Sequence, residues 1–178
     1  MGSRPRITNK LIGEIVIDKL EYVQNKSSNR ARKILNSIER IDLEIWCDQH
    51  YYNRVQLGDQ YGKRAGIEVE NVKSLVLRSI QHLIYYSFKV KNFSFVNFER
   101  SVRAIRTVLQ EAGETGVLNI VTEFHHLESN KYQVTIITAM QKDDFKISVG
   151  QYVLETHGVS STLKKFDGRN LVAMGVFD

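Results

Sequence analysis

Cysteine, proline and long hydrophobic runs are scarce in this sequence of 178 residues. Its single cysteine, Cys47, excludes an internal disulfide and a cysteine-rich metal site. Cys47 follows Trp46 in an apolar run, which predicts a buried and inert thiol. With one proline and eleven glycines, long disordered linkers are not expected. The apolar runs are far shorter than the ~20 residues that a membrane-spanning helix needs.

Several catalytic signatures are also missing. The sequence has no phosphate-binding P-loop, no dinucleotide-binding glycine fingerprint, no GxSxG and no HExxH. Nucleotide hydrolysis, hydride transfer, serine hydrolysis and zinc proteolysis therefore lose support, and no cofactor or metal is expected. The N-terminal segment has no apolar signal-peptide core, so we predict a cytoplasmic protein that does not enter a membrane.

Charge is distributed unevenly along the chain, which carries a formal net charge of +5. Residues 1–111 hold 19 Lys and Arg against 12 Asp and Glu, a balance of +7, and residues 112–178 hold 6 against 8, a balance of −2. A moderately basic surface is compatible with nucleic-acid binding. The first part of the chain is predicted to supply it.

The N-terminal part has apolar residues at helical spacing. This pattern predicts helices over 8–24 and 30–41, followed by a short strand over 43–47 and a helix over 49–57. Residues 1–45 are accordingly interpreted as a helical extension, and residues 46–178 as the core domain.

The middle of the chain shows the strongest helical signal. The residues after Glu70 repeat one apolar stripe up to Ile84 and predict an amphipathic helix. A further helix is predicted over 98–111, on which Arg100, Arg103 and Arg106 would form a basic ridge.

After Gly116 the composition favours β-structure. Residues 117–126 and 131–140 predict a hairpin, 145–154 a third strand, and 170–177 a possible fourth. Helices followed by consecutive strands predict an α+β fold, with N-terminal helices packed on a C-terminal antiparallel β-meander.

Residues 46–84 contain the most promising chemical groups. His50 and Arg54 are four residues apart and would share one face of a helix, where arginine can grip a phosphate and histidine can exchange a proton. Lys63 and Arg64 precede a Gly-Ile turn that could bring two more cations to the same site. A solvated histidine and a basic loop would show the same spacing.

Further candidates lie later in the chain. His82 follows Arg78 by four residues and is either a second proton carrier or a structural histidine. His125 and His126 would point to opposite faces of a strand, and Glu123 shares the face of His125, which permits a Glu–His pair. Thr138 offers a hydroxyl from the neighbouring strand.

Residues 46–154 resemble the small bacterial and phage endoribonucleases of the barnase/RelE-like group, including BrnT-type toxins and RegB-like enzymes. The resemblance rests on a His-x-x-x-Arg motif, a following basic residue and a Gly-Ile turn, matched here by His50, Arg54, Arg64, Gly66 and Ile67. It implies a RelE/barnase-like fold and RNA as the partner, and permits an antitoxin or inhibitor protein.

The resemblance also implies a chemistry. RNA would be cleaved without a metal by its own 2′-hydroxyl, with His50 as base, His82 or His125 as acid, and Arg54 and Arg64 as the phosphate clamp. Thr138 would be a hydroxyl of the catalytic sheet, and Lys63, Arg78, Arg100, Arg103 and Arg106 would bind RNA. The two alternatives are a non-catalytic nucleic-acid-binding module, whose affinity would depend steeply on salt, and a protein-interaction or inhibitor domain.

Overall fold

A computed structural model describes residues 6–15, 22–23, 31–32, 39–48, 51, 67–98, 103–128 and 130–178, and only the backbone of those before residue 41. These residues form one long helix and eleven strands. The elements are β1 (Arg6–Ile15), β2 (Tyr22–Val23), β3 (Ala31–Arg32), β4 (Glu39–Cys47), α1 (Val69–Lys89), β5 (Val96–Asn97), β6 (Thr107–Gly113), β7 (Gly116–Glu128), β8 (Lys131–Gln141), β9 (Tyr152–His157), β10 (Ser160–Phe166) and β11 (Leu171–Phe177).

A mixed sheet organises most of the described chain. Eight strands follow the order β1-β4-β8-β7-β6-β9-β10-β11, β5 adds to one end of β7, and β2 pairs only with β3. The contacts between β4 and β8, between β6 and β9 and between β5 and β7 are parallel, whereas the other contacts are antiparallel. Strands distant in sequence are therefore neighbours in the sheet.

Helix α1 covers one face of this sheet. Its apolar stripe includes Val72, Leu75, Val76 and Leu83, which are at most 2% exposed, and burying each such side chain stabilises the fold by about 1.5–3 kcal/mol. The stripe packs against apolar side chains of the strands, namely Leu43, Ile45, Cys47, Leu109, Ile120, Phe124, Val134, Ile136, Ala139, Leu154 and Leu163. This face of the sheet is the main core.

The opposite face has a smaller apolar cluster. Val108, Val121 and Val153 lie side by side on β6, β7 and β9, and Phe145 and Ile147 pack over them. Because successive strand residues point to opposite faces, Val108 joins this cluster while its neighbour Leu109 joins the main core. Other positions on this second face carry polar side chains, among them Glu123, His125 and Thr135.

The fold differs from the predicted one at its N-terminal end. Residues 6–15, which overlap the predicted helix over 8–24, form β1. Strand β3 and the start of β4 replace described parts of the helix predicted over 30–41. The prediction of N-terminal helices is wrong because apolar residues at helical spacing also suit a strand once a partner strand binds its backbone. The predicted domain boundary at residue 45 lies within β4, which pairs with both β1 and β8.

The predicted helix over 98–111 and the meander are also wrong. Residues 107–113 form β6, and residues 103–106 before it are not helical, so Arg103 and Arg106 do not lie on a helix. The third strand starts at Tyr152 rather than 145, and β9 pairs in parallel with β6 instead of antiparallel with β8. The helices-on-meander arrangement expected of a RelE/barnase-like fold is thereby overturned.

Other predictions are confirmed. Helix α1 contains the whole predicted stripe, β7 and β8 form the predicted hairpin, β4 contains the strand over 43–47, and β11 matches the last strand. Of the predicted helix over 49–57, only Tyr51 lies within the described residues, and it is helical. Cys47 is buried, and burial raises the pKa of its thiol to about 11, so its thiolate is scarce at neutral pH.

No helix in the described ranges has the length and apolar character needed to cross a membrane.

Gly175 lets the last strand approach α1 closely. A Cβ atom at this position would lie 3.1 Å from Cε1 of Tyr86 and 3.3 Å from Cγ2 of Val90. Tyr86 cannot move away easily, because its hydroxyl donates to the carbonyl oxygen of Ser161 at 2.7 Å. The fit of β11 against the helix therefore depends on the missing side chain.

We expect Gly175→Ala to lower the free energy of unfolding by about 1–3 kcal/mol, because the added methyl group overpacks a fixed contact. Urea denaturation followed by circular dichroism measures this change. Val176→Ala, at the exposed neighbouring position, is the control and should change stability by less than about 0.5 kcal/mol. A Gly175→Ala protein as stable as the parent would contradict the close contact.

Candidate functional site

The side chains of β7 alternate between the two faces of the sheet. Ile120 and Phe124 point into the core beneath α1, and the alternation of the strand places Glu123 and His125 on the opposite face. Glu123 is paired with Thr135 of β8, and His125 with Gln133. A row of polar groups thus lies on the face of the sheet that α1 does not cover.

Three ionisable side chains meet on this face, and we call them the Arg–Glu–His trio: Arg106, Glu123 and His125. Nε of Arg106 donates to Oε1 of Glu123 at 2.7 Å. Nε2 of His125 lies 3.6 Å from the other carboxylate oxygen, Oε2. Glu123 is 14% exposed, whereas His125 and Arg106 are 36% and 53% exposed. The carboxylate is sheltered, and its two partners reach solvent.

Asn97 fixes the loop that carries Arg106. Its amide Nδ2 donates to the carbonyl oxygens of Ile105 and Phe124, each at 3.0 Å, and its Oδ1 accepts from the backbone N–H of Ile105 at 2.5 Å. Asn97 is only 2% exposed. Its one side chain therefore ties the residue before Arg106 to the backbone of β7 beside His125.

The three groups of the trio could together transfer protons next to a bound anion. A carboxylate can accept a proton, an imidazolium can donate one, and a guanidinium stabilises negative charge without losing its own. Within the described part of the chain, Arg106 uses only Nε, so its two Nη groups remain available to an anionic ligand. A phosphate group would find a guanidinium, an imidazole and a carboxylate within a few ångströms of one another.

Thr138, another predicted site residue, lies on the same face but further along the sheet. It is paired with Val121 on β7, next to the small apolar cluster. A bulge between Val121 and Thr122 separates this position from the Glu123–Thr135 pair. Thr138 therefore lies near the trio but is not part of it.

His82 lies on the other side of the sheet. Its side chain is 1% exposed, Nδ1 is 3.0 Å from Oγ of Ser161, and the ring packs edge-on against Phe177 at a centroid distance of 4.7 Å. Burial lowers the pKa of this imidazole below its ordinary value. Because the sheet separates the two residues, His82 and His125 cannot act on the same phosphate.

The predicted RNA-binding arginines occupy different places. Arg78 of α1 forms a two-point ion pair with Glu111 of β6, at 2.5 and 2.9 Å, and this hydrogen bonding raises the pKa of the guanidinium. Arg103 is exposed in the same loop as Arg106. The other predicted site residues lie outside the described residues, namely His50, Arg54, Lys63, Arg64 and Arg100.

Sequence reasoning found part of the trio. The spacing of Glu123 and His125 on one strand permits a Glu–His pair, and the structure contains it. It missed the partnership of Arg106 with Glu123 because the segment was assigned to a helix. It also missed Asn97, whose role depends on contacts that no local pattern indicates.

A second Glu–His pair provides an internal comparison. Nε2 of His157 lies 3.9 Å from Oε2 of Glu155, and Nζ of Lys164 binds both oxygens of that carboxylate at 2.6 Å. In this pair a lysine takes the place that Arg106 has beside Glu123. Among the described residues, no group of three or more His, Cys, Asp or Glu could hold a metal ion.

Comparison with known proteins yields no relative. No protein-family model, no curated protein and no solved structure matches this chain significantly.

Burial of His82 makes the folding equilibrium depend on pH. The ordinary pKa is 6.5 and the folded-state pKa is lower, so below pH 6.5 the unfolded chain binds the proton more readily. We expect the stability from this group to be complete above pH 6.5 and to be lost as the pH falls, by up to about 1.4 kcal/mol per pH unit. His82→Asn removes the titration, so denaturation from pH 8 to 5 should show a shallower slope than for the parent. Equal slopes would contradict this account.

Asn97 gives a second test of the site's architecture. Asn97→Ala leaves the N–H of Ile105 and two carbonyl groups without their partner, and should lower the free energy of unfolding by about 1–3 kcal/mol. Hydrogen exchange of the Ile105 amide should also become faster. Asn97→Asp is the matched variant, because it keeps the acceptor for that N–H and loses only the two donated bonds. Unchanged exchange in Asn97→Ala would show that the loop is held by other contacts.

Proposed function

We propose that the protein is a metal-independent endoribonuclease whose reacting groups are the Arg–Glu–His trio. The observation that carries the proposal is that a sheltered carboxylate, an accessible imidazole and an accessible guanidinium meet on the open face of the sheet. The expectation from the sequence concerned the same reaction, but it assigned the residues differently.

The reaction uses the nucleophile that RNA carries. Glu123 accepts the proton of the 2′-hydroxyl, the 2′-oxygen forms a bond to the adjacent phosphorus, and the bond from phosphorus to the 5′-oxygen breaks. Protonated His125 donates its proton to the departing 5′-oxygen. The products are a 2′,3′-cyclic phosphate and a 5′-hydroxyl, and the two groups end with their protonation states exchanged.

Arg106 stabilises the charge that develops on the phosphorane. Its Nε holds Glu123 in place, and its Nη groups can donate to the equatorial phosphate oxygens. Each proton-transfer group typically contributes about 10²–10⁴-fold to the rate, and a fixed donor on the developing charge contributes about 10²–10³-fold. These contributions make a catalytic role for a small exposed site physically reasonable.

Other parts of the proposal come from the sequence alone. RNA as substrate, a possible antitoxin or inhibitor protein, and a cytoplasmic location remain predictions. His50, Arg54 and Arg64 also remain candidates, with His50 as an alternative base to Glu123. A rate measurement on His50→Ala beside Glu123→Gln decides between the two bases.

We expect the purified protein to cleave a fluorescent oligoribonucleotide in EDTA and to leave 2′,3′-cyclic phosphate ends, detected by mass spectrometry. His125→Ala and Glu123→Gln should each lower the rate by about 10²–10⁴-fold, and Arg106→Ala by about 10²–10³-fold. An oligonucleotide with deoxyribose at the cleavage site should not be cut, because it lacks the nucleophile.

His157→Ala is the matched control, since it disrupts the second Glu–His pair and should leave the rate unchanged. Each variant is compared with the parent by circular dichroism. Folded His125→Ala and Glu123→Gln proteins that cleave as fast as the parent would refute the assigned roles. Salt-sensitive RNA binding without cleavage in the parent would favour the binding module instead.

A further inference from the structure

A cavity of about 470 Å³ opens directly beside the trio. It lies at the end of the sheet where β6 and β9 begin, between the turn after α1, the loop before β6 and the segment before β9. Its lining residues are Asn92, Ser94, Arg103, Ala104, Ile105, Arg106, Ser148, Val149, Gly150, Gln151 and Tyr152. The volume is within the range of about 300–1,000 Å³ typical of small-molecule sites.

Arg106 belongs to both the cavity and the trio. Arg106 is one of the lining residues of the cavity, and its Nε donates to Glu123. A phosphate bound between Arg106 and His125 would therefore lie at the mouth of the cavity. The ribose attached to that phosphate would place its base at the opening of the cavity while the phosphate stays bound at the trio.

Hydrogen bonds hold the turn that contains Gln151. The backbone N–H of Gln151 donates to the carbonyl of Ser148 at 3.0 Å, and its Oε1 accepts from the N–H of Ser148 at 3.0 Å. Gly150 donates to the carbonyl of Phe166 at 2.7 Å, which ties the turn to β10. Because Oε1 accepts the N–H of Ser148, the orientation of the amide is fixed, and the Nε2 amino group of Gln151 is the end available to a ligand.

Tyr152 is the aromatic residue of the cavity lining. Tyr152 is held by an edge-on contact with Phe93 at 4.8 Å and by its hydroxyl, which donates to the carbonyl of Asn92 at 3.4 Å. Nζ of Lys165 lies 5.1 Å from the centroid of the Tyr152 ring. A planar ligand would meet a fixed apolar surface with positive charge on more than one side.

The charged groups of this lining are donors. Arg103 and Arg106 donate hydrogen bonds only, and Gln151 offers its amino group. Such a lining favours a ligand edge that carries carbonyl oxygens. Guanine, uracil and cytosine each have at least one carbonyl oxygen, whereas adenine has none.

We propose that this cavity binds the nucleobase next to the scissile phosphate and prefers bases with a carbonyl group over adenine. The proposal rests on the proposed function, because the adjoining trio supplies the phosphate position. It adds a specificity-determining role for Gln151 and Arg103, two residues outside the trio.

Binding of mononucleotides tests the cavity separately from cleavage. The probes are uridine 3′-monophosphate and adenosine 3′-monophosphate, which carry the same phosphate and have no 5′-linked leaving group. Titration calorimetry or NMR should show the uridine nucleotide binding about tenfold more tightly. Because both nucleotides carry the same phosphate, its contribution cancels in the ratio of the two affinities, and the ratio reports on the base.

Gln151→Glu is the decisive variant, because it keeps an oxygen for the N–H of Ser148 and replaces the amino donor by an acceptor. The affinity ratio should fall to about one, and Arg103→Ala should lower it as well. Arg169→Ala, an exposed arginine in the β10–β11 turn, is the control and should leave the ratio unchanged. His125→Ala should retain the ratio while losing cleavage.

The outcomes separate the two proposals. Equal affinity for the two nucleotides, no binding of either, or an unchanged ratio in a folded Gln151→Glu protein would overturn the base site. Cleavage without a base preference would leave the nuclease proposal standing and remove the cavity's role. Selective nucleotide binding without cleavage of any RNA would support the cavity and refute the nuclease.

Discussion

The fold is governed by the burial of one face of the sheet beneath α1. The apolar stripe of the helix takes the inward residues of strands from β4 to β10 out of water, and the last strand closes against the helix through Gly175. Alternation along each strand then determines the position of every outward residue. The Arg–Glu–His trio, the row of polar partners beside it and the second Glu–His pair all follow from this division.

The same division gives the histidines different chemical environments. His82 is enclosed by the core and kept neutral by burial, whereas His125 stands beside a carboxylate at the surface. His126, adjacent to His125 in sequence, makes ring contacts with Phe98 and Tyr132 at 6.0 and 5.6 Å. Residue type alone therefore does not identify a proton-transfer group, because the side of the sheet decides its solvation.

Local patterns predicted the elements that depend on local interactions. The long stripe of α1 and the β7–β8 hairpin were recognisable because their periodicity and turn are complete within one segment. Strand β1 and the start of β4 were predicted as helices because they are stabilised by pairing with each other rather than by a local pattern. The same holds for the site residues. Glu123 and His125 are two residues apart, so a local pattern could predict their pairing, whereas Arg106 and Asn97 reach them only in the folded sheet.

The parallel contact between β4 and β8 has a consequence for folding. Asp42 is paired with Lys131, so a large part of the chain must be closed into a loop before this contact can form. Fold topologies rich in such distant pairings generally fold more slowly than those built from neighbouring segments. During synthesis, the side of β4 that later binds β8 therefore has no partner strand until β8 has left the ribosome, and in that interval this edge can pair with strands of other molecules.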